Sequence, residues 1–169
     1  MKSFLAGVII TLIGIAGGVY AYFSRGSAPV ATNAPPMPFE RRLAHMALNA
    51  KLQKEMPKAV PIEASEANYL AGAHQYLTHC AVCHGVPGKE PTAIARGEFP
   101  KPPELLKGTG VTDDPPGETY WKVANGIRLT GMPGFSQSLS PTEMWQISLM
   151  LANADKLPPS VTAVLKSQP

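Results

Sequence analysis

The hydrophobic pattern divides the chain into an apolar N-terminal segment, a polar connecting region and a region with helical periodicity. Residues 4–23 form a run of 20 residues without a charged side chain. As a helix, this run would span roughly 30 Å, the thickness of the hydrocarbon core of a bilayer. It is longer than the apolar region of an ordinary secretory signal. We therefore expect residues 1–25 to be an uncleaved transmembrane anchor, with a signal cleaved after Val19-Tyr20-Ala21 as the alternative.

The connecting region, residues 26–63, has two parts. Residues 26–38 contain four prolines and no apolar period, which is typical of an extended tether. Residues 39–58 have a helix-forming composition and a net charge of +3. Their apolar residues lie on two opposite sides of the predicted helix. This basic segment suits a lipid surface or an acidic partner, and a solvated spacer helix is the alternative.

Residues 64–157 show the periodicity of a small helical domain, and residues 158–169 are expected to form a C-terminal tail. Ser65 is a candidate N-cap for a helix with apolar residues on one face that ends at a pair of cysteines. A second helix is predicted from about 117 to 125, before Gly126. A third begins with a capping box formed by Ser140 and Glu143 and continues to about Ala154. The pattern predicts an all-α fold.

Cys80, Cys83 and His84 form a Cys-x-x-Cys-His motif directly after the first of these helices. This spacing allows two thiols to add to the vinyl groups of one haem, with the histidine below the porphyrin as an iron ligand. A thioredoxin-like dithiol would need a βαβ context, and a zinc site would need further ligands. The motif therefore predicts one covalently bound haem c, and the thiol oxidoreductase remains an alternative.

Met132 is the best candidate for the sixth iron ligand. It lies between Gly131 and Pro133, in a segment without helical periodicity where the backbone can approach a cofactor closely. Met144 and Met150 fall in a predicted helix, where core packing is the default. Ligation by His84 and Met132 would favour ferrous iron and close the iron to small molecules. This predicts electron transfer; a haem enzyme or gas sensor with a labile sixth ligand is the alternative.

Composition and charge narrow the function further. Aromatic residues make up only 7% of the chain, so a large cofactor would supply apolar bulk that the core lacks. Residues 64–157 hold nine acidic and seven basic residues, whereas the rest of the chain holds three acidic and eight basic ones. The basic excess lies outside the predicted domain. A nucleic-acid partner is therefore not expected.

Over residues 64–157 the chain resembles bacterial class I monohaem cytochromes c, especially membrane-tethered forms. The likeness rests on Gly72 and Tyr76 in the first helix, the haem motif, the Pro102-Pro103 and Met132-Pro133 loops, and Trp145 in the last predicted helix. It implies three main helices around one haem, with Gly72 where the first and last helices cross. It also implies that a carbonyl from Pro102 or Pro103 accepts the His84 Nδ1 proton. Residues expected to pack on the haem or to bind its propionates are Tyr120, Trp121 and Arg128.

These observations predict a non-catalytic electron-transfer protein of the bacterial inner membrane. We expect a single-pass anchor with the haem domain in the periplasm, since class I cytochromes of bacteria receive their haem there. Redox partner proteins are expected, and subunits of a respiratory or dehydrogenase complex are possible partners. Mitochondrial-type relatives dock through a ring of lysines. This domain is slightly acidic, so that mode of docking is not expected here.

Overall fold

Every regular element in residues 1–167, the part of the chain that the computed structural model describes, is helical. The helices are α1 (Lys2–Ser24), α2 (Glu40–Glu55), α3 (Glu66–His79), α4 (Ala81–His84), α5 (Ala93–Gly97), α6 (Pro116–Asn125), α7 (Pro141–Ala152) and α8 (Pro159–Lys166), with a 3₁₀ turn at Ala154–Lys156. The predicted all-α fold is confirmed. The chain divides into two compact units, one ending at Leu43 and one beginning at Ala44.

The first unit contains α1, which begins at Lys2 and ends at Ser24. The helix is long and apolar enough to cross a membrane, and none of its residues is buried. The Arg25 N–H closes its last turn by donating to the Ala21 carbonyl. A signal sequence near the N-terminus can also form a helix that is long and apolar enough to meet this criterion, so α1 is compatible with an anchor or with a signal.

The core of the second unit lies where α3 crosses α7. Fully buried apolar side chains from both helices meet there, among them Tyr76, Ile147 and Met150. A Cβ atom at Gly72 would lie 2.2 Å from the Gln146 carbonyl oxygen, so only glycine allows this approach. Gly72 therefore lies at the crossing, as the resemblance implies.

Both crossing helices begin at the residues that the sequence predicts. The Ser65 hydroxyl accepts the Asn68 N–H at the start of α3. Ser140 and Glu143 form a complete capping box at the start of α7, in which each side chain accepts the backbone N–H of the other residue. Helix α6 also begins within one residue of its predicted start. Local capping and periodicity thus determine these three elements.

The second unit is larger than the predicted domain of residues 64–157. Residues 158–167 are not a free tail: α8 packs against α3 and buries Val161 and Leu165, whose spacing of four residues places them on one face. At the other end, Leu52 of α2 is buried. A Cβ atom at Gly117 would lie 2.0 Å from the Pro57 carbonyl oxygen, so the segment after α2 lies directly on α6. Residues 168–169 lie outside the described residues.

Candidate haem-binding site

Cys80 lies at the break between α3 and α4, and Cys83 lies within α4. The Cys80 N–H donates to the Tyr76 carbonyl at 2.8 Å, and the Cys80 carbonyl accepts the His84 N–H at 2.9 Å. Cys80 therefore ends one helix and begins the next, which carries Cys83 and His84. Both cysteines are partly buried free thiols, and Cys80 packs against the core.

The surroundings of both thiols disfavour the thiolate. Burial raises the pKa of Cys80 to about 12. Burial also raises the pKa of Cys83 to about 11, and the neighbouring Glu98 carboxylate contributes to that rise. A reactive dithiol needs a lowered thiol pKa, because the thiolate is the nucleophile. The raised pKa values of Cys80 and Cys83 therefore do not favour thiol oxidoreductase chemistry at this pair.

The His84 imidazole is oriented by a backbone carbonyl. Its Nδ1 donates to the Pro103 carbonyl oxygen at 2.8 Å. A proton on Nδ1 leaves the lone pair of Nε2 available, and such a partner also fixes the plane of the ring. Of the two prolines that the sequence offers, Pro103 supplies the carbonyl. His84 is thus held in the tautomer that an iron ligand needs.

A second hydrogen bond holds the turn that follows His84. The buried Tyr76 hydroxyl donates to the Gly85 carbonyl at 2.7 Å, where Gly85 has a φ of +74°. A positive φ at this position favours glycine. Tyr76 therefore connects the core to the exit of the haem motif. The sequence places Tyr76 on the buried face of α3, but its spacing contains no signal for this bond.

Met132 lies in residues 127–135, a segment that we call the Met132 loop. Its N–H donates to the Thr130 hydroxyl at 3.1 Å, and its carbonyl accepts the Ile127 N–H at 3.2 Å. The Met132 side chain is partly buried against the core. Local hydrogen bonds therefore hold the backbone of Met132 in a loop conformation outside a helix.

The Met132 loop is also tied to the end of α6. The Phe135 N–H donates to the Val123 carbonyl at 2.9 Å. A Cβ atom at Gly126 would lie 2.6 Å from the Gly134 nitrogen, and one at Gly134 would lie 2.8 Å from the Asn125 carbonyl oxygen. Two glycines thus allow backbone to pack on backbone. This gives a physical role to the glycines that the sequence shows around Met132.

The other predicted cofactor contacts have partners of their own. The Tyr120 ring stacks on Trp145, with centroids 4.3 Å apart. The Trp121 indole N–H donates to the Glu55 carboxylate at 3.2 Å, which connects α6 to the end of α2.

The remaining predicted contacts are Arg128 and Pro102. Arg128 is exposed. Pro102 is partly buried beside Pro103. Haem contact by Pro102, Tyr120, Trp121 and Arg128 stays a prediction, and the contact of Trp121 with Glu55 was not predicted.

The residues present fit a covalently bound haem. The second unit offers two neighbouring thiols, an imidazole whose Nδ1 is bound to a carbonyl, and a methionine whose backbone is held by its own loop. Loop segments on both sides of α6 add apolar side chains that pack on the core but stay partly exposed. Val86, Leu105, Leu106, Val111 and Phe135 belong to this group. A macrocycle would cover such surface, and these donors match the ligands of cytochromes c.

Comparison with known proteins agrees with this geometry. Residues 67–149 match the family model for cytochrome C oxidase, cbb3-type, subunit III. The matched segment runs from the first turn of α3 into α7 and includes the cysteine motif and the Met132 loop. Residues 67–149 are a c-type cytochrome domain. The match confirms the predicted family, with its class I fold, and electron transfer through covalently bound haem c as its function.

The chain is also similar to individual proteins, at low sequence identity. The chain is 28% identical over 159 residues to quinohemoprotein alcohol dehydrogenase ADH IIB of Pseudomonas putida. That match covers 83% of the chain and 21% of the relative, so the chain spans about a fifth of that protein's length. Among solved structures, the Kuenenia stuttgartiensis reducing HAO-like protein complex Kustc0457/Kustc0458 contains a similar chain. The TM-score is 0.50 at 21% identity, over 79% of this chain and 54% of the other.

Proposed function

We propose that this protein carries one electron at a time through a single haem c attached to Cys80 and Cys83 and ligated by His84 and Met132. The observation that carries the proposal is the hydrogen bond of His84 Nδ1 to the Pro103 carbonyl, because it leaves Nε2 free as an axial ligand. The chain has one Cys-x-x-Cys-His motif, which supports a single haem. When bound, the haem supplies the reversible Fe(III)/Fe(II) couple.

The residues of the chain would set the properties of that couple. The carbonyl of Pro103 holds the His84 proton and increases the basicity of the ligand. The Met132 thioether is a soft ligand that favours ferrous iron. With His84 and Met132 both holding the iron, the haem would be closed to oxygen and other small molecules. This favours electron exchange through the haem edge over chemistry at the iron.

The proposed location is the periplasmic face of the bacterial inner membrane. Helix α1 supports attachment to the membrane, because it is uncharged over residues 4–23 and long enough to span the bilayer. Retention of the haem-stained full-length band in alkali-washed membranes would support an anchor. Release of a shorter stained band into the periplasm would instead show that the segment is cleaved.

The proposed partner is an oxidoreductase subunit that passes electrons to this domain. A quinohemoprotein alcohol dehydrogenase is among the relatives, which favours a dehydrogenase as the electron donor. The donor and this domain would then act in one complex or by transient encounter. Purification in mild detergent distinguishes these cases, because a stable subunit co-elutes with its complex and a free carrier runs alone.

Replacing Met132 by alanine tests the ligand assignment. In the wild-type protein we expect the methionine-sulfur-to-iron charge-transfer band in the ferric state and no carbon monoxide binding in the ferrous state. Met132→Ala should lose the band and bind carbon monoxide, because it opens the sixth position. The matched control is Met46→Ala, which removes an exposed methionine of α2 and should leave both measurements unchanged.

Two results would contradict the proposal. Rapid and complete carbon monoxide binding by the wild-type protein would favour the gas sensor or haem enzyme. A full-length band without haem stain after denaturing electrophoresis would leave Cys80 and Cys83 as free thiols and favour the thiol oxidoreductase. That second function would also have to overcome the raised thiol pKa values.

A further inference from the structure

Glu98 brings a carboxylate between the haem motif and the Met132 loop. It directly follows α5 and is partly buried. Its Oε1 lies 3.2 Å from Cys83 Sγ. A Cβ atom at Gly131 would lie 2.7 Å from the Glu98 carboxyl carbon, so the carboxylate is packed against the residue that precedes Met132. Glu98 therefore contacts both segments that would enclose the haem edge.

Within residues 1–167, no cationic side chain lies within 4.0 Å of the Glu98 carboxylate. Among residues 1–167, the ion pairs within 4.0 Å are Lys51–Glu55, Lys107–Glu104 and those of Lys122 with Asp114 and Glu118. The neighbouring Arg96 guanidinium donates to the Pro91 carbonyl. The hydrogen-bond donor to Glu98 in the described residues is the Cys83 thiol.

Haem attachment removes that donor. The Cys83 sulfur forms a bond to one vinyl carbon, and the thiol hydrogen is transferred to the adjacent carbon, so the vinyl double bond is consumed and no S–H remains. Glu98 would then be a partly buried negative charge without its thiol partner, next to a haem whose ferric form carries one more positive charge than its ferrous form. Charges in such a site interact more strongly than exposed charges, because water and salt screen them less.

From this juxtaposition we propose that Glu98 is a charge-bearing residue at the haem edge that stabilises the ferric form and lowers the reduction potential. The inference rests on the proposed function, since it requires haem attached to Cys83 and Met132 as a ligand. The Glu98 charge would oppose the Met132 thioether, which favours ferrous iron. Together the two would set the potential between the values that either would produce alone.

The test is the isosteric variant Glu98→Gln in the full-length haem-loaded protein in detergent. Spectroelectrochemical titration should show a higher midpoint potential than in the wild-type protein. We expect the ferric-to-ferrous ratio at a fixed potential to fall at least threefold, which is about 28 mV at 59 mV per tenfold change for one electron. The control is Glu90→Gln, which removes the same charge from an exposed side chain between α4 and α5.

Each outcome either supports or overturns an effect of the Glu98 charge on the reduction potential. A raised midpoint in Glu98→Gln, with the methionine-to-iron band intact and Glu90→Gln unchanged, supports the charge effect. An unchanged or lowered midpoint overturns it. Loss of the band in Glu98→Gln also overturns it, because the carboxylate would then act as a brace for the Met132 loop. A wild-type protein without haem or without the band contradicts the proposed function itself.

Discussion

The crossing of α3 with α7 and the Met132 loop both depend on glycines packed against backbone, but they use this close contact for different purposes. At the crossing, Gly72 lets two helices bury large apolar side chains such as Ile147 and Met150. In the loop, Gly126 and Gly134 let backbone meet backbone, and Met132 itself stays partly exposed. The crossing should therefore determine stability, and the loop should determine iron ligation.

The largest expected effect on stability is that of Gly72→Ala. The added Cβ atom would lie 2.2 Å from the Gln146 carbonyl oxygen and 3.0 Å from the Met150 Cβ, so the helices must separate. Overpacking at a helix crossing should lower the free energy of unfolding by about 3 kcal/mol, the upper end of the usual range. Thermal and denaturant unfolding of the haem-loaded protein would measure this loss of stability.

Gly97→Ala is the matched control for this substitution. A Cβ atom at Gly97, at the end of α5, meets no atom within 4 Å, and its φ lies outside the left-handed region. We expect little change in stability. Equal destabilisation by the two substitutions would show that the crossing does not depend on glycine.

Gly134→Ala should have its main effect on the ligand. Its Cβ atom would lie 2.8 Å from the Asn125 carbonyl oxygen and 2.9 Å from that of Ala124, so the Met132 loop must shift away from α6. The core at α3 and α7 stays intact. We expect a weakened methionine-to-iron band and carbon monoxide binding, with a smaller loss of stability than in Gly72→Ala. An unchanged band would show that the loop tolerates this shift, and Gly97→Ala again serves as control.

The smallest effect is expected at the start of α7. Ser140→Ala removes the hydroxyl that caps the Glu143 N–H and should lower the free energy of unfolding by about 1 kcal/mol. The haem spectrum should not change, because the cap lies outside the Met132 loop. A spectral change would show that the two regions are coupled.

The contribution of the capping box to the free energy of unfolding also depends on pH in a predictable direction. Hydrogen bonds from the Ser140 backbone N–H and hydroxyl lower the pKa of Glu143 below its ordinary value. A lowered pKa in the folded state stabilises the fold above the ordinary glutamate pKa of about 4.3. This stabilisation is lost as the pH falls through the lowered pKa. The difference in stability between wild type and Glu143→Gln should therefore shrink with acidification, and pH-resolved unfolding would measure it.

Much of the fold and the candidate site could be predicted, because the signals are local. Ser65, Ser140 and the prolines and glycines at helix ends lie next to the backbone groups that they cap. The motif of Cys80, Cys83 and His84 occupies five consecutive residues. Helix α8 was missed because its eight residues show only about two turns of periodicity, and its burial comes from contact with the distant α3. The contact of Pro57 with Gly117 was missed because it joins residues 60 positions apart.

The sequence by itself determined the helical fold class and the haem motif, because each depends on residue types at short spacings, and its choice of Met132 as the sixth ligand stays a prediction. Only the tertiary structure decided that Pro103 and not Pro102 accepts the His84 proton, that Tyr76 holds Gly85, and that Glu98 lies between Cys83 and Gly131. These contacts join distant segments through hydrogen bonds to backbone or through packing. Spacing along the chain does not encode such contacts, because they form only once α3, α6 and α7 have brought the loops together.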